Sequence, residues 1–137
     1  MRVLLILFLF SATVSAQSSS SLRQKYGEPA SETFRLRPQI LLIVSYAKTG
    51  EVCRMLVEPK SIRIGMLKVS AVETIKDKLM DEILEELAPQ NQRGKFLSRT
   101  HRFGLLEDYE QVEILLGGGT DKWHYGAIYW KIQACEN

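Results

Sequence analysis

The stretch EDYEQVEILLGGGTDKWHYGAIYWKIQAC, residues 107–135, decides the fold. Before the glycines, Val112, Ile114 and Leu116 fall on one face and Glu113 on the other. After them, Ile128, Trp130, Ile132 and Ala134 share a face, with Tyr129, Lys131 and Gln133 opposite. A period of two on both flanks of GGGTDK predicts a β-hairpin whose exposed tip is residues 117–122. A phosphate-binding loop would need its Lys in a Gly-x4-Gly-Lys frame that opens a helix. A dinucleotide fingerprint would need a βαβ unit. Lys122 is followed by β-prone aromatics, so the glycines read as positive-φ residues of a turn.

The aromatics of the return strand are the candidate binding residues. Strict alternation puts Trp123, Tyr125 and Tyr129 on one face and turns His124 to the other. Such a face can dock a protein or an envelope component, or it can make cross-strand pairs that stabilise the sheet. Trp130, in phase with Ile128, is expected in the core.

Upstream, VSAVETIKDKLMDEILEELAP is read as one long helix. Ser70 and Glu73 form a capping box, and Val72, Ile75, Leu79, Ile83 and Leu87 form an apolar stripe. Asp77, Asp81, Glu82, Glu85 and Glu86 occupy the other side and read as a solvated face. QNQRGKFLSRTHRFG, with Arg93, Lys95, Phe96, Arg99, His101 and Arg102, reads as a long exposed basic loop. Nearer the N-terminus, Leu22 and Tyr26 share a face of a short helix that Gly27 and Pro29 stop. Phe34 and Leu36 alternate with Arg35 and Arg37, residues 40–46 are apolar on both faces, and residues 52–57 return after a turn at Gly50. These segments predict a β-meander. The fold class is α+β: an antiparallel β-sheet with one long and one short helix packed on it. The two helix-then-strands halves could be a weak structural repeat, without a matching sequence repeat.

The N-terminus, MRVLLILFLFSATVSAQ, has Arg2, an apolar run over residues 3–10, and Val14 and Ala16 at the −3 and −1 positions of a cut before Gln17. Residues 1–16 are read as a signal peptide, 17–21 as a flexible leader and 22–137 as a single α+β domain. The apolar run is far shorter than the roughly 20 residues of a spanning helix. The mature chain is expected to be secreted or periplasmic, with no membrane span.

The formal net charge is +2, and loss of Arg2 leaves it about +1. Nucleic acid is therefore not an expected partner. Cys53 and Cys135 are the two cysteines of the chain, and in an oxidising compartment a single pair has one intramolecular connectivity. Cys135 falls on the opposite phase from Ile132, so the bridge requires the last strand to bend or end before it. No metal site or cofactor is expected from two cysteines and two histidines. Asp121 and His124 lie close in sequence, and Ser98 or Thr120 could serve as a nucleophile, but no Gly-x-Ser-x-Gly elbow is present. A small exported hydrolase using the His124 region is the alternative to a non-enzymatic binding domain.

The succession LRQKYGEP, FRLRP and ILLIVSYAKTGEVCRMLVEP, over residues 22–59, loosely resembles the helix-to-meander pattern of β-lactamase-inhibitor-protein-like domains and of small outer-membrane-assembly lipoproteins. The chain is also similar in style to small exported bacterial proteins of unknown function. The lipoprotein cysteine of the second group is missing, and no functional residue carries over. The resemblance implies protein binding rather than catalysis.

Overall fold

The structure is a computed structural model that describes residues 18–64, 67–70, 74–119, 121–131 and 135. The signal-peptide reading, Val72, Glu73, Thr120, Ile132, Gln133 and Ala134 lie outside the described residues. Helix α1 (Ser19–Tyr26) leads into a meander of β1 (Ser31–Arg37), β2 (Ile40–Tyr46) and β3 (Val52–Pro59). Two short strands, β4 (Ser61–Ile64) and β5 (Leu67–Ser70), pair with each other. Then come β6 (Ile75–Lys76), helix α2 (Asp77–Leu87) and the single turn α3 (Gln90–Arg93). A second meander follows: β7 (Phe96–His101), β8 (Leu105–Tyr109), β9 (Val112–Gly118) and β10 (Lys122–Trp130).

The main sheet has the order β1-β2-β3-β10-β9-β8-β7, with β6 added beside the start of β10. All its pairs are antiparallel. The predicted α+β class and the 112–130 hairpin are therefore present. Each meander ends on a strand that needs a partner, and β3 and β10 supply one another.

Helix α2 is the covering layer of one sheet face, here called inner. Its Met80, Ile83 and Leu84 are buried in one cluster with Ile40, Leu42 and Val44 of β2, Val57 of β3, Val112, Ile114 and Leu116 of β9 and Ile128 of β10. The register puts these strand residues on one side: Val44, Met55, Ile128 and Ile114 form one continuous row. Close approach is possible because Gly126 lies beneath Met80. A methyl group on Gly126 would come within 2.9 Å of Met80 Sδ.

Three expectations are corrected. The long helix begins at Asp77, not at a Ser70 cap, because Ser70 is paired in β5 and Ile75 in β6. Ile75 is buried as expected, but as a strand residue whose branched side chain suits the sheet. The short helix does not pack on the sheet: α1 buries none of its residues and is tethered by Arg23, which ion-pairs with Glu28 and with Glu32 of β1. The basic loop is instead α3 followed by edge strand β7, every residue of which is exposed.

The predicted disulfide is present. Cys53 and Cys135 have Cα atoms 5.3 Å apart. The phase conflict disappears because β10 ends at Trp130 and Lys131 is already in a turn, its N–H donating to the Gln111 carbonyl. The bridge spans 82 residues of sequence and links β3 to the chain's last residues. Loop closure of that length is worth about 4.5 kcal/mol on the chain-entropy account. Cys53→Ser should cost about 2–5 kcal/mol in urea melts. The unreduced, denatured protein should take up no thiol alkylating reagent by intact mass.

Candidate functional site: the outer face of the sheet

β10 is the fourth of seven strands along the sheet, and it carries the aromatic residues singled out in the sequence. Near its start the pairing slips. Trp123 faces Gly118 and Tyr125 faces Gly117, so β10 takes two steps while β9 takes one. This bulge at His124 reverses the alternation on its N-terminal side. Trp123 therefore does not share a face with Tyr125 and Tyr129, as strict alternation had predicted. It enters the inner core at 6 % exposure, and its Nε1 donates to Asp77 Oδ1 at 2.8 Å. That hydrogen bond ties the first residue of α2 to the sheet and satisfies the indole. His124 is exposed.

Tyr125 and Tyr129 remain on the outer face, 36 % and 38 % exposed. Tyr125 lies across Gly117, where a Cβ would sit 2.2 Å from the ring. Gly117 is thus a buried strand residue that makes room for a neighbour's ring, and the expected exposed tip at 117–122 is corrected: β9 runs to Gly118, β10 starts at Lys122, and of the three glycines only Gly118 has a positive φ. Between the two tyrosines is Ala127. Its row runs Thr33, Ile43, Leu56, Ala127, Leu115, Leu106, Thr100 across all seven strands. The next row runs Ser31, Ser45, Arg54, Tyr129, Glu113, Asp108, Ser98. Ile43, Leu56, Leu106 and Leu115 are half-buried and stand outside the cluster that α2 covers. The outer face is therefore an apolar band with polar ends, bordered by a charged row. Within that row, Arg54 donates from Nη2 to Ser45 Oγ at 3.2 Å, while its Nε is buried with no hydrogen-bond partner among the described residues.

A cleft of about 540 Å³ lies between α2 and β8, lined by Asp77, Asp81, Glu85, Arg93, Arg99 and Glu107 among others. Its charges are mostly committed. Arg93 is buried, donates to the Ala88 carbonyl at 2.7 Å, pairs with Glu85 and sits over the Tyr109 ring. Arg99 pairs with Glu107 across β7 and β8. Glu86 pairs with Arg37 of β1. Arg93 and Glu85 thus link the basic loop to the acidic helix side, which the separate reading of each as solvated missed. Asp81 is the exception: desolvation, followed by the charges of Asp77 and Glu107, raises its pKa above the ordinary 3.8.

Chemistry at His124 would require a nucleophile beside it. Ser98 is on edge strand β7, three strands from β10, and Asp121 is exposed with its carbonyl accepting from the Asp77 N–H. His101 is on β7 opposite Leu105. Among the described residues no group of three His, Cys, Asp or Glu side chains is placed to hold a metal ion. Comparison with protein-family models, with curated proteins and with solved structures finds no match.

Two outcomes follow from this geometry. Trp123→Ala should lower stability by about 3–5 kcal/mol in denaturant melts, because it empties a buried aromatic site. Asp81→Asn tests the carboxylate. The folded-state pKa is raised, so the native protein loses stability as pH rises through it, when Asp81 ionises. The variant should melt above the parent at pH 7 and match it below the ordinary value of 3.8. Equal melting temperatures at both pH values would show that folding does not perturb this carboxyl.

Proposed function

We propose that this is an exported, non-enzymatic α+β domain that binds a protein through the outer face of its sheet. The reading rests on one observation: large aliphatic side chains and two tyrosines form a half-exposed band outside the core cluster. A contiguous apolar band rimmed by polar residues is the ordinary anatomy of a protein interface. Tyr125 and Tyr129 are the aromatic anchors of this reading, and Trp123 is structural. The resemblance of residues 22–59 to inhibitor-like and assembly-lipoprotein-like domains points the same way.

Export is proposed from the N-terminal sequence, with cleavage after Ala16 and release as a secreted or periplasmic protein. The disulfide is compatible with that route. Among the described residues no helix is long and apolar enough to cross a membrane.

A photo-activated cross-linking residue at Tyr129 tests the reading in cells that export the protein. A discrete protein adduct should form there and not from the same residue at Glu82, on the exposed side of α2. No adduct from Tyr129, or equal adducts from both positions, would overturn it.

A further inference from the structure

We infer that the outer face binds a second copy of this chain, sheet against sheet, about a two-fold axis along β10. This inference rests on the reading of that face as a protein-binding surface and names the partner.

The argument is one of symmetry. β10 has three strands on each side along the main sheet. When two such faces oppose one another about an axis along β10, each strand meets the strand equally far on the other side. β3 meets the partner's β9, β2 meets β8 and β1 meets β7. The apolar row is chemically matched under this operation. Ala127 falls on the axis, Leu56 meets Leu115, Ile43 meets Leu106 and Thr33 meets Thr100. Apolar therefore opposes apolar at the centre, and hydroxyl opposes hydroxyl at both ends.

The neighbouring row decides between this partner and an unrelated one. There Tyr129 is on the axis, with Arg54 on one flank and Glu113 on the other. Their backbones are about 10 Å apart, two strand spacings. Neither has an ion-pair partner within the chain among the described residues. The two-fold places Arg54 of each copy over Glu113 of the other, which makes two identical ion pairs. A two-fold interface requires such self-complementarity: one residue contacts a second, and the second contacts the first.

Aligned sheets pack about 10 Å apart with strands crossing at roughly 30°. At one strand from the axis that rotation displaces a pair by about 2–3 Å, within the reach of Arg and Glu. Seven strands across and about 15 Å along them give a footprint near 500 Å² per copy. The total of about 1,000 Å² is at the small end for a specific interface, so the dimer should be weak, with Kd in the micromolar range.

The experiment is sedimentation velocity of the mature, oxidised chain over a concentration series. The parent should dimerise. Arg54→Glu and Glu113→Arg should each raise Kd at least about tenfold, because each sets like charges opposite one another across the interface. An equimolar mixture of the two single variants should recover the dimer, since each then supplies the charge that the other lacks. The double variant should also dimerise. Tyr129→Glu, at an exposed position on the axis, should be a monomer and covers the case in which a variant at Arg54 fails to fold. A monomeric parent up to about 100 µM, a dimer indifferent to all three positions, or single variants that do not recover on mixing would each overturn the inference. A monomeric parent that still yields an adduct with a different protein from Tyr129 would overturn the second copy as partner and leave the binding face standing.

Discussion

The pairing of β3 with β10 is the constraint on which the molecule depends. It joins residues 54–57 to residues 126–129 and turns two separate meanders into one sheet. Apart, each meander would end on a strand edge of unpaired backbone groups. Joined, the two halves form a platform wide enough for α2 to cover with Met80, Ile83 and Leu84. The long-range closure is costly in chain entropy, and the Cys53–Cys135 bridge acts at that same joint. The covalent link and the non-local strand pair therefore secure one contact.

Around that joint the helix is fixed by polar bonds as well as burial. Asp77 receives the Trp123 indole, Glu86 pairs with Arg37, and Glu85 pairs with an Arg93 that also holds the Ala88 carbonyl. These bonds reach β10, β1 and α3 in turn, so each end of α2 is located. The cost falls on Asp81, where desolvation, and after it the charges of Asp77 and Glu107, raise the pKa. At the far edge of the platform the sign is reversed. The Tyr46 hydroxyl donates to Glu32, and that hydrogen bond, with Arg23 beside it, holds Glu32 below its ordinary value of 4.5.

Period-two segments were legible in the sequence wherever one sheet face was covered. The 112–130 hairpin follows directly from its alternation, Ile40–Tyr46 from a run apolar on both faces, and Val52–Pro59 from the return at 52–57 after the Gly50 turn. The failures have physical causes. β7 is exposed along its whole length, so no apolar alternation marked it, as is usual for an edge strand. Glu107 and Asp108 disguised β8, although Arg99 and Lys131 neutralise them. The helix was extended too far because Ile75 satisfies both the helical stripe and the two-residue strand β6. Of the three aromatics, Tyr125 and Tyr129 were placed together correctly and Trp123 was not. One extra residue at His124 flips every side chain before it, and nothing in WHY announces a bulge. The signal that could have helped is Gly118, a second glycine opposite the aromatic run, since bulges and glycines go together in strands.

The outer face owes its character to the same joint. Each meander, taken alone, must put apolar residues on its helix-facing side, and only that side is explained by folding. Ile43, Leu56, Leu106 and Leu115 are on the other side, and they line up in one row only once β3 has met β10. A solvated antiparallel face would carry polar residues at those positions. The polar ends, Thr33 and Thr100, are at the sheet edges, where a face-to-face partner would no longer exclude water. The band is therefore shaped for an occupant that covers the middle of the sheet. Arg54 and Glu113, one strand to either side of Tyr129, set the charges that such an occupant must meet.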